Sequence, residues 1–123
     1  MPLYQQLILA NPRTAKKVLV DIFKKHTDII HRNGGVVRGI ENHGVRPLGD
    51  QTKKKYAQAS TGERYFWDAQ FMTSTFDCSP PVLKQLNRFL RDSEEVIRSH
   101  VTKIDTKRDR LTSKNYKNPY DTV

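Results

Sequence analysis

The sequence predicts an α+β domain with the element order β-α-β-β-α-β, and three observations predict it. Two segments carry apolar residues at helical spacing, and both are bounded by turn or cap signals. Four other runs have strand length, strand composition or period-two alternation, and they fall before, between and after those helices. The chain has 123 residues, of which 36% are hydrophobic and 28% charged, enough for one domain with a single modest core.

The first strand is LYQQLIL, Leu3 to Leu9, which ends at the turn signal Asn11-Pro12. The first helix follows in RTAKKVLVDIFKKHTDIIHR. Val18, Leu19, Ile22, Phe23, His26, Ile29 and Ile30 recur on one stripe, and Lys16, Lys17, Lys24, Lys25 and Arg32 fall on the other faces. Asn33-Gly34-Gly35 stops it, with Gly34 or Gly35 in the left-handed conformation just past the end. Val36, Val37, Ile40, Val45 and Leu48 form the second strand. Gly39 and Gly44 suggest bulges in it, and Pro47 removes a ladder donor, so this strand belongs at a sheet edge. DQTKKKYAQASTGE reads as a long hairpin loop. In RYFWDAQFMTSTF, Tyr65, Trp67, Ala69, Phe71 and Thr73 take one face and Phe66, Asp68, Gln70, Met72 and Ser74 the other. Aromatic residues on both faces point to a central strand; Tyr56, Tyr65, Phe66 and Trp67 could stack on bases, but aromatics in such a strand are more often core, and the core is the favoured place for Trp67.

Asp77 or Ser79 caps the second helix, Pro80 and Pro81 suit its first turn, and Leu83, Leu86, Phe89 and Leu90 form its buried stripe. In the fourth strand, VIRSHVTKI, period two sends Ile97, Ser99 and Val101 toward the helices and Val96, Arg98, His100 and Thr102 the other way. Right-handed crossovers then give the ferredoxin-like βαββαβ arrangement: a four-stranded antiparallel sheet in the order 4-1-3-2, with both helices on one face and the other face uncovered. The domain spans residues 1–104, and residues 105–123 read as a basic extended tail.

The net charge of +9 favours a polyanionic partner. Arg98 and His100 are placed by strand parity on the uncovered face, where a cation either stays solvated or meets a phosphate. Lys53, Lys54 and Lys55 cluster in the hairpin loop, and Lys103, Lys107, Arg108 and Arg110 continue the charge into the tail. Other chemistry finds little support. No apolar run approaches the ~18 residues of a membrane helix, and the single cysteine, Cys78, rules out an intrachain disulfide. His26, His31, His43 and His100 are scattered without metal-ligand spacing, and His26 on its apolar stripe reads as packed. Neither phosphate-loop pattern is present. No catalytic residue, metal, cofactor or small-molecule substrate is expected.

The β-α-β-β-α-β order, the opening LYQQLILANP, the run NGGVVRGIENHGVRPLG and VIRSHV together resemble the bacterial-type small-subunit ribosomal protein six family, over roughly residues 3–104. Glu41, Gly44, Arg46 and Leu48 match the family's second-strand pattern, and Val96, Ile97, Arg98 and Val101 its last strand. The resemblance implies a non-catalytic constituent of the small ribosomal subunit. It would bind the central domain of the rRNA on the platform, with ribosomal protein eighteen as its heterodimer partner. It also implies that Tyr4 matches the tyrosine of the first strand, and that Arg46 and Arg98 match cationic positions near RNA or partner. The family's Y-P-I-x-K segment is replaced here by GDQTKKKYAQ and a longer loop. That departure and the basic composition look like a fungal-type mitochondrial member, with the bacterial cytoplasm or a plastid as alternatives. The opening residues read as a strand, so import would use no cleavable presequence or a signal inside the chain. A free RRM-like module shares the topology, but ERYFWDAQF lacks the glycines of the RRM third-strand motif.

Overall fold

The structure, a computed structural model, describes residues 2–54, 62 and 64–104. Its elements are β1 (Leu3–Ala10), α1 (Lys16–Arg32), β2 (Val36–Lys53), β3 (Tyr65–Asp77), α2 (Pro80–Asp92) and β4 (Val96–Ile104). The strands form one antiparallel sheet in the order β2-β3-β1-β4, which is the expected order read from the other edge.

Alternation on β1 builds the core. Tyr4, Gln6, Ile8 and Ala10 are buried and meet both helices. At one end Tyr4 packs with Ile30 of α1, Phe76 of β3 and Leu86 of α2; at the other Ile8 and Ala10 pack with Ile22, Met72 and Leu90. Between these two apolar groups lies a polar link. The Nε2 of His26 is 2.9 Å from the Gln6 Oε1, and the Gln6 Nε2 donates to the Asn87 Oδ1 at 3.3 Å. His26 is therefore packed, as its apolar stripe suggested.

The junction from α1 to β2 is set by two glycines. Gly34 has φ of +78°, the left-handed region that spares a glycine the cost of a side chain. A Cβ on Gly35 would lie 2.5 Å from the Asp77 carbonyl oxygen and 2.7 Å from the Ile30 Cγ2, so β2 approaches β3 too closely there for any side chain. Along β2 the register with β3 shifts between Val37 and Gly39 and again between Asn42 and Gly44, where the glycines suggested bulges. Pro47 lies on this edge strand, as its missing donor requires.

Four expectations are corrected. β2 does not end near Leu48: it runs to Lys53, and Lys53 pairs with Tyr65 after a third register shift. Trp67 is not in the core but 64% exposed: it lies past Gln70, the last β3 residue that pairs with β1, where the β2–β3 register breaks between the pairs Pro47–Asp68 and Thr52–Phe66. Val96 and Ile97 exchange the faces that strict alternation assigns them. Leu9 pairs with Arg98 but Ala10 pairs with Val96, so the register shift makes Ile97 an extra residue. Val96 then joins the helix-side core, and Ile97 packs on Phe66 and Ala69. At the start of α2 neither expected cap acts: the Ser79 side chain makes no cap hydrogen bond, and the Asp77 carboxylate accepts from the Arg38 Nε at 2.7 Å.

Candidate nucleic-acid interface

Antiparallel partners share a face, so the strand pairings lay out the helix-free side row by row. One row runs Gly44, Phe71, Leu9, Arg98; the next Glu41, Thr73, Leu7, His100; the next Gly39, Thr75, Gln5, Thr102. The face has two characters. Its middle is mostly polar, with Thr73, Thr75, Gln5 and Thr102 around the aliphatic Leu7. Toward the hairpin end it is apolar, where Phe66, Ala69 and Ile97 are buried and Leu9, Leu48 and Phe71 are partly buried against them. These apolar residues explain how one sheet face stays ordered without helices: the β2–β3 arm folds across it toward β4.

The predicted cations occupy three places. Arg98 and His100 alternate on β4 and are exposed at the outer edge of the uncovered face. An open cleft of about 860 Å³ runs between α2 and this edge of β4; Arg98, His100, Arg91 of α2 and Lys54 line it together with the acidic Asp92 and Glu94. Arg46 is exposed on the opposite edge strand, and its Nε donates to the His43 carbonyl oxygen at 3.3 Å. Three strand spacings, about 14 Å, separate the two edges. Lys53 lies further along the arm, its ammonium 5.7 Å from the centre of the Tyr65 ring. Lys103 is exposed but pairs with Tyr4, so by parity it belongs to the helix side of β4. Lys55, Lys107, Arg108 and Arg110 lie outside the described residues.

Two predicted residues are engaged elsewhere. Tyr4 is 6% exposed, and its ring lies 6.2 Å from that of Phe76 inside the helix-side core, which leaves it no access to the uncovered face. The Lys54 ammonium donates to the carbonyl oxygens of Ser93, at 3.3 Å, and Glu94. It fastens the arm to the turn between α2 and β4. Burial lowers its pKa, while Glu95 and Glu94 pull it back up.

Sequence reasoning missed Arg38, which the first bulge of β2 brings to Asp77, and Arg91, which lies in the last turn of α2 and lines the same cleft as Arg98. A Gly two residues after a Val pair marked the bulge, but nothing in the sequence named Asp77 as its partner. His43 also lies here: its Nε2 is 3.0 Å from the Thr73 Oγ1 and 3.8 Å from the Glu41 carboxylate. Among the described residues no cluster of three or more His, Cys, Asp or Glu is arranged to hold a metal, and no helix is long and apolar enough to cross a membrane. Cys78 is buried, and that burial, then the Asp77 charge, raises its thiol pKa.

Comparison with known proteins gives this geometry a context. The family model described as ribosomal protein S6 matches residues 3–103. The small ribosomal subunit protein bS6 of Geobacter sulfurreducens is 29% identical over 103 residues, which is 84% of this chain and 79% of that protein. The bS6 of Heliobacterium modesticaldum is 24% identical over 102 residues, 83% of this chain and 95% of its own length, whereas the match to the Methylobacterium radiotolerans bS6 covers 61% of that protein. Among solved structures, the 30S ribosomal protein S6 of Thermotoga maritima shares the fold with a TM-score of 0.65 and 17% identity, covering 84% of this chain and 87% of the other. The C-terminal domain of the MgtC protein from Mycobacterium tuberculosis shares it with a TM-score of 0.53 and 18% identity, over 88% and 93% of the two chains. The fold alone therefore does not single out a function.

Proposed function

The chain belongs to the ribosomal protein S6 family of the small ribosomal subunit, and from that premise we propose that it binds rRNA of the subunit platform together with ribosomal protein eighteen. The observation that carries the reading is the family match over residues 3–103. The edge of β4 supports it, because Arg98, His100 and Arg91 line one cleft there. Phosphate oxygens are the ligand these groups suit: a guanidinium donates in a planar fork and keeps its charge at every physiological pH. Arg46, Lys53 and Lys103 would add phosphate contacts around the rim, and the polar middle of the sheet offers hydroxyl and amide groups to ribose and backbone. Lys55, Lys107, Arg108 and Arg110 stay in the proposal on charge alone. Tyr4 and Lys54 leave it as direct contacts and remain as supports of the sheet and the arm.

We also propose a mitochondrial subunit as the setting. The net charge of +9 and the GDQTKKKYAQ segment after Leu48 support this. Sedimentation of a tagged chain from mitochondrial lysate tests both parts. Co-migration with small subunits is the expected result. A chain that stays at the top of the gradient would exclude the ribosomal role, and one absent from mitochondria but present on cytoplasmic or plastid subunits would exclude the location only.

A further inference from the structure

The β2–β3 arm carries aromatic side chains that the sheet does not use. Tyr65 is 53% exposed and Trp67 is 64% exposed. They alternate on β3, so both project to the same side of the strand, while Phe66 between them is buried against Ile97 and Ala69. Trp67 lies where the β2–β3 register breaks, between the pairs Pro47–Asp68 and Thr52–Phe66. No β1 residue pairs with β3 beyond Gln70. The buried Phe66 and the Lys54 clasp hold the arm in place, so the two exposed rings stand on an anchored ribbon.

We propose that Trp67 and Tyr65 form a stacking platform for unpaired RNA bases. This rests on the rRNA-binding reading and adds to it the chemical class of the contact. An indole mostly in water is a large flat apolar face available to a base, and every base has a π-face to offer. The charge around the rings selects RNA over a protein partner. The Lys53 ammonium stands over the Tyr65 ring at 5.7 Å, Arg64 precedes Tyr65 and donates from Nε to the Lys54 carbonyl at 3.1 Å, and Arg46 lies on the adjoining stretch of β2. Rings that stack, beside cations that follow a phosphate backbone, are what a single strand requires. A duplex keeps its bases inside the helix and meets only the cations.

Trp67 is the sole tryptophan of the chain, so intrinsic fluorescence reports this site alone. The probes are an oligoadenylate of roughly ten nucleotides and an RNA duplex of equal length. The full chain should show saturable quenching with the single strand and little with the duplex. Trp67→Ala should weaken single-strand binding by roughly 5- to 150-fold, measured by anisotropy of labelled RNA. Its salt dependence should keep the same slope, because no cation is removed. Trp67→Phe should recover most of the affinity. Circular dichroism verifies folding, which an exposed ring does not control.

Unchanged single-strand affinity in Trp67→Ala overturns the platform. If small-subunit incorporation nevertheless falls in that variant, the ring covers a neighbouring protein instead. Where the parent chain enters small subunits and Trp67→Ala enters equally well with equal RNA affinity, only the stacking claim fails. Where the parent chain binds neither probe and does not enter subunits, the rRNA-binding reading fails with it.

Discussion

His26 is fully buried, and its one hydrogen bond fixes its chemistry. The Gln6 Oε1 can only accept, so the proton sits on Nε2, and Nδ1 has no hydrogen-bond partner among the described residues. Charging the ring would place a new N–H and a full charge among Phe23, Phe76 and the two apolar clusters. Burial accordingly pushes the His26 pKa from 6.5 down to about 4. The sign follows from linkage: between those two values the unfolded chain binds a proton that the fold refuses, so stability drops as pH falls from about 6.5 to about 4. Over that window the loss is on the order of 3 kcal/mol. Urea unfolding at pH 7, 5.5 and 4.5 should show a midpoint that falls with pH in the parent chain and falls less in His26→Phe; parallel pH slopes would acquit His26. Arg98 is the opposite kind of residue. It is exposed and supports no core contact, so Arg98→Glu should change stability by no more than about 0.5 kcal/mol. The same variant should lose rRNA or subunit association, and normal incorporation would remove Arg98 from the interface.

At the scale of elements, the junctions carry the information that the strands and helices themselves do not. Gly35→Ala forces a Cβ against the Asp77 carbonyl and the Ile30 methyl, and it should cost about 1–3 kcal/mol in chemical unfolding. Gly49→Ala meets open space and serves as the control. The irregular start of β4 makes a second prediction. Ile97 is buried away from the helices, so Ile97→Ala should cost about 2 kcal/mol or more despite belonging to neither helix-side cluster; a change within a few tenths would mean that the arm does not close on it. These junctions also show what a sequence discloses. Helix stripes, the two bulge glycines of β2, the edge position of Pro47 and the strand order all follow from local patterns that repeat every two or nearly four residues. The β4 register shift does not, because Val96 and Ile97 are alike in chemistry and only the pairing with Leu9 and Ala10 separates them. Trp67 escaped for the same reason. Its composition reads as core, and its exposure goes with its place on the arm beyond the last β1 pair, where the β2–β3 register breaks.

The molecule as a whole keeps its positive charge mostly within residues 1–104. Of its 22 Lys and Arg, only Lys107, Arg108, Arg110, Lys114 and Lys117 lie in residues 105–123, and Asp105, Asp109 and Asp121 offset three of them. The candidate site was legible in the sequence to the extent that parity decides it: Arg98 and His100 face away from the helices as alternation requires. It was illegible where long-range contacts decide, since Lys54 reaches carbonyls about 40 residues away and Tyr4 is spent on Phe76. A charge run alone could not separate Lys53, exposed beside the Tyr65 ring, from its neighbour fastened to the fold. These facts bear on how RNA binding should depend on salt. The logarithm of affinity falls with the logarithm of salt concentration in proportion to the phosphates neutralised, with a coefficient of roughly 0.7–0.9 for each. Deleting residues 105–123 should therefore weaken rRNA binding and flatten its salt dependence, yet leave more than half of the slope, carried by Arg98, Arg91, Arg46 and Lys53. Affinity measured from 50 to 300 mM salt, on the order of the range where counterion release dominates, decides the matter. Identical slopes would take the tail off the phosphates. A slope near zero after deletion would take the sheet edge off them, and with it the proposed interface.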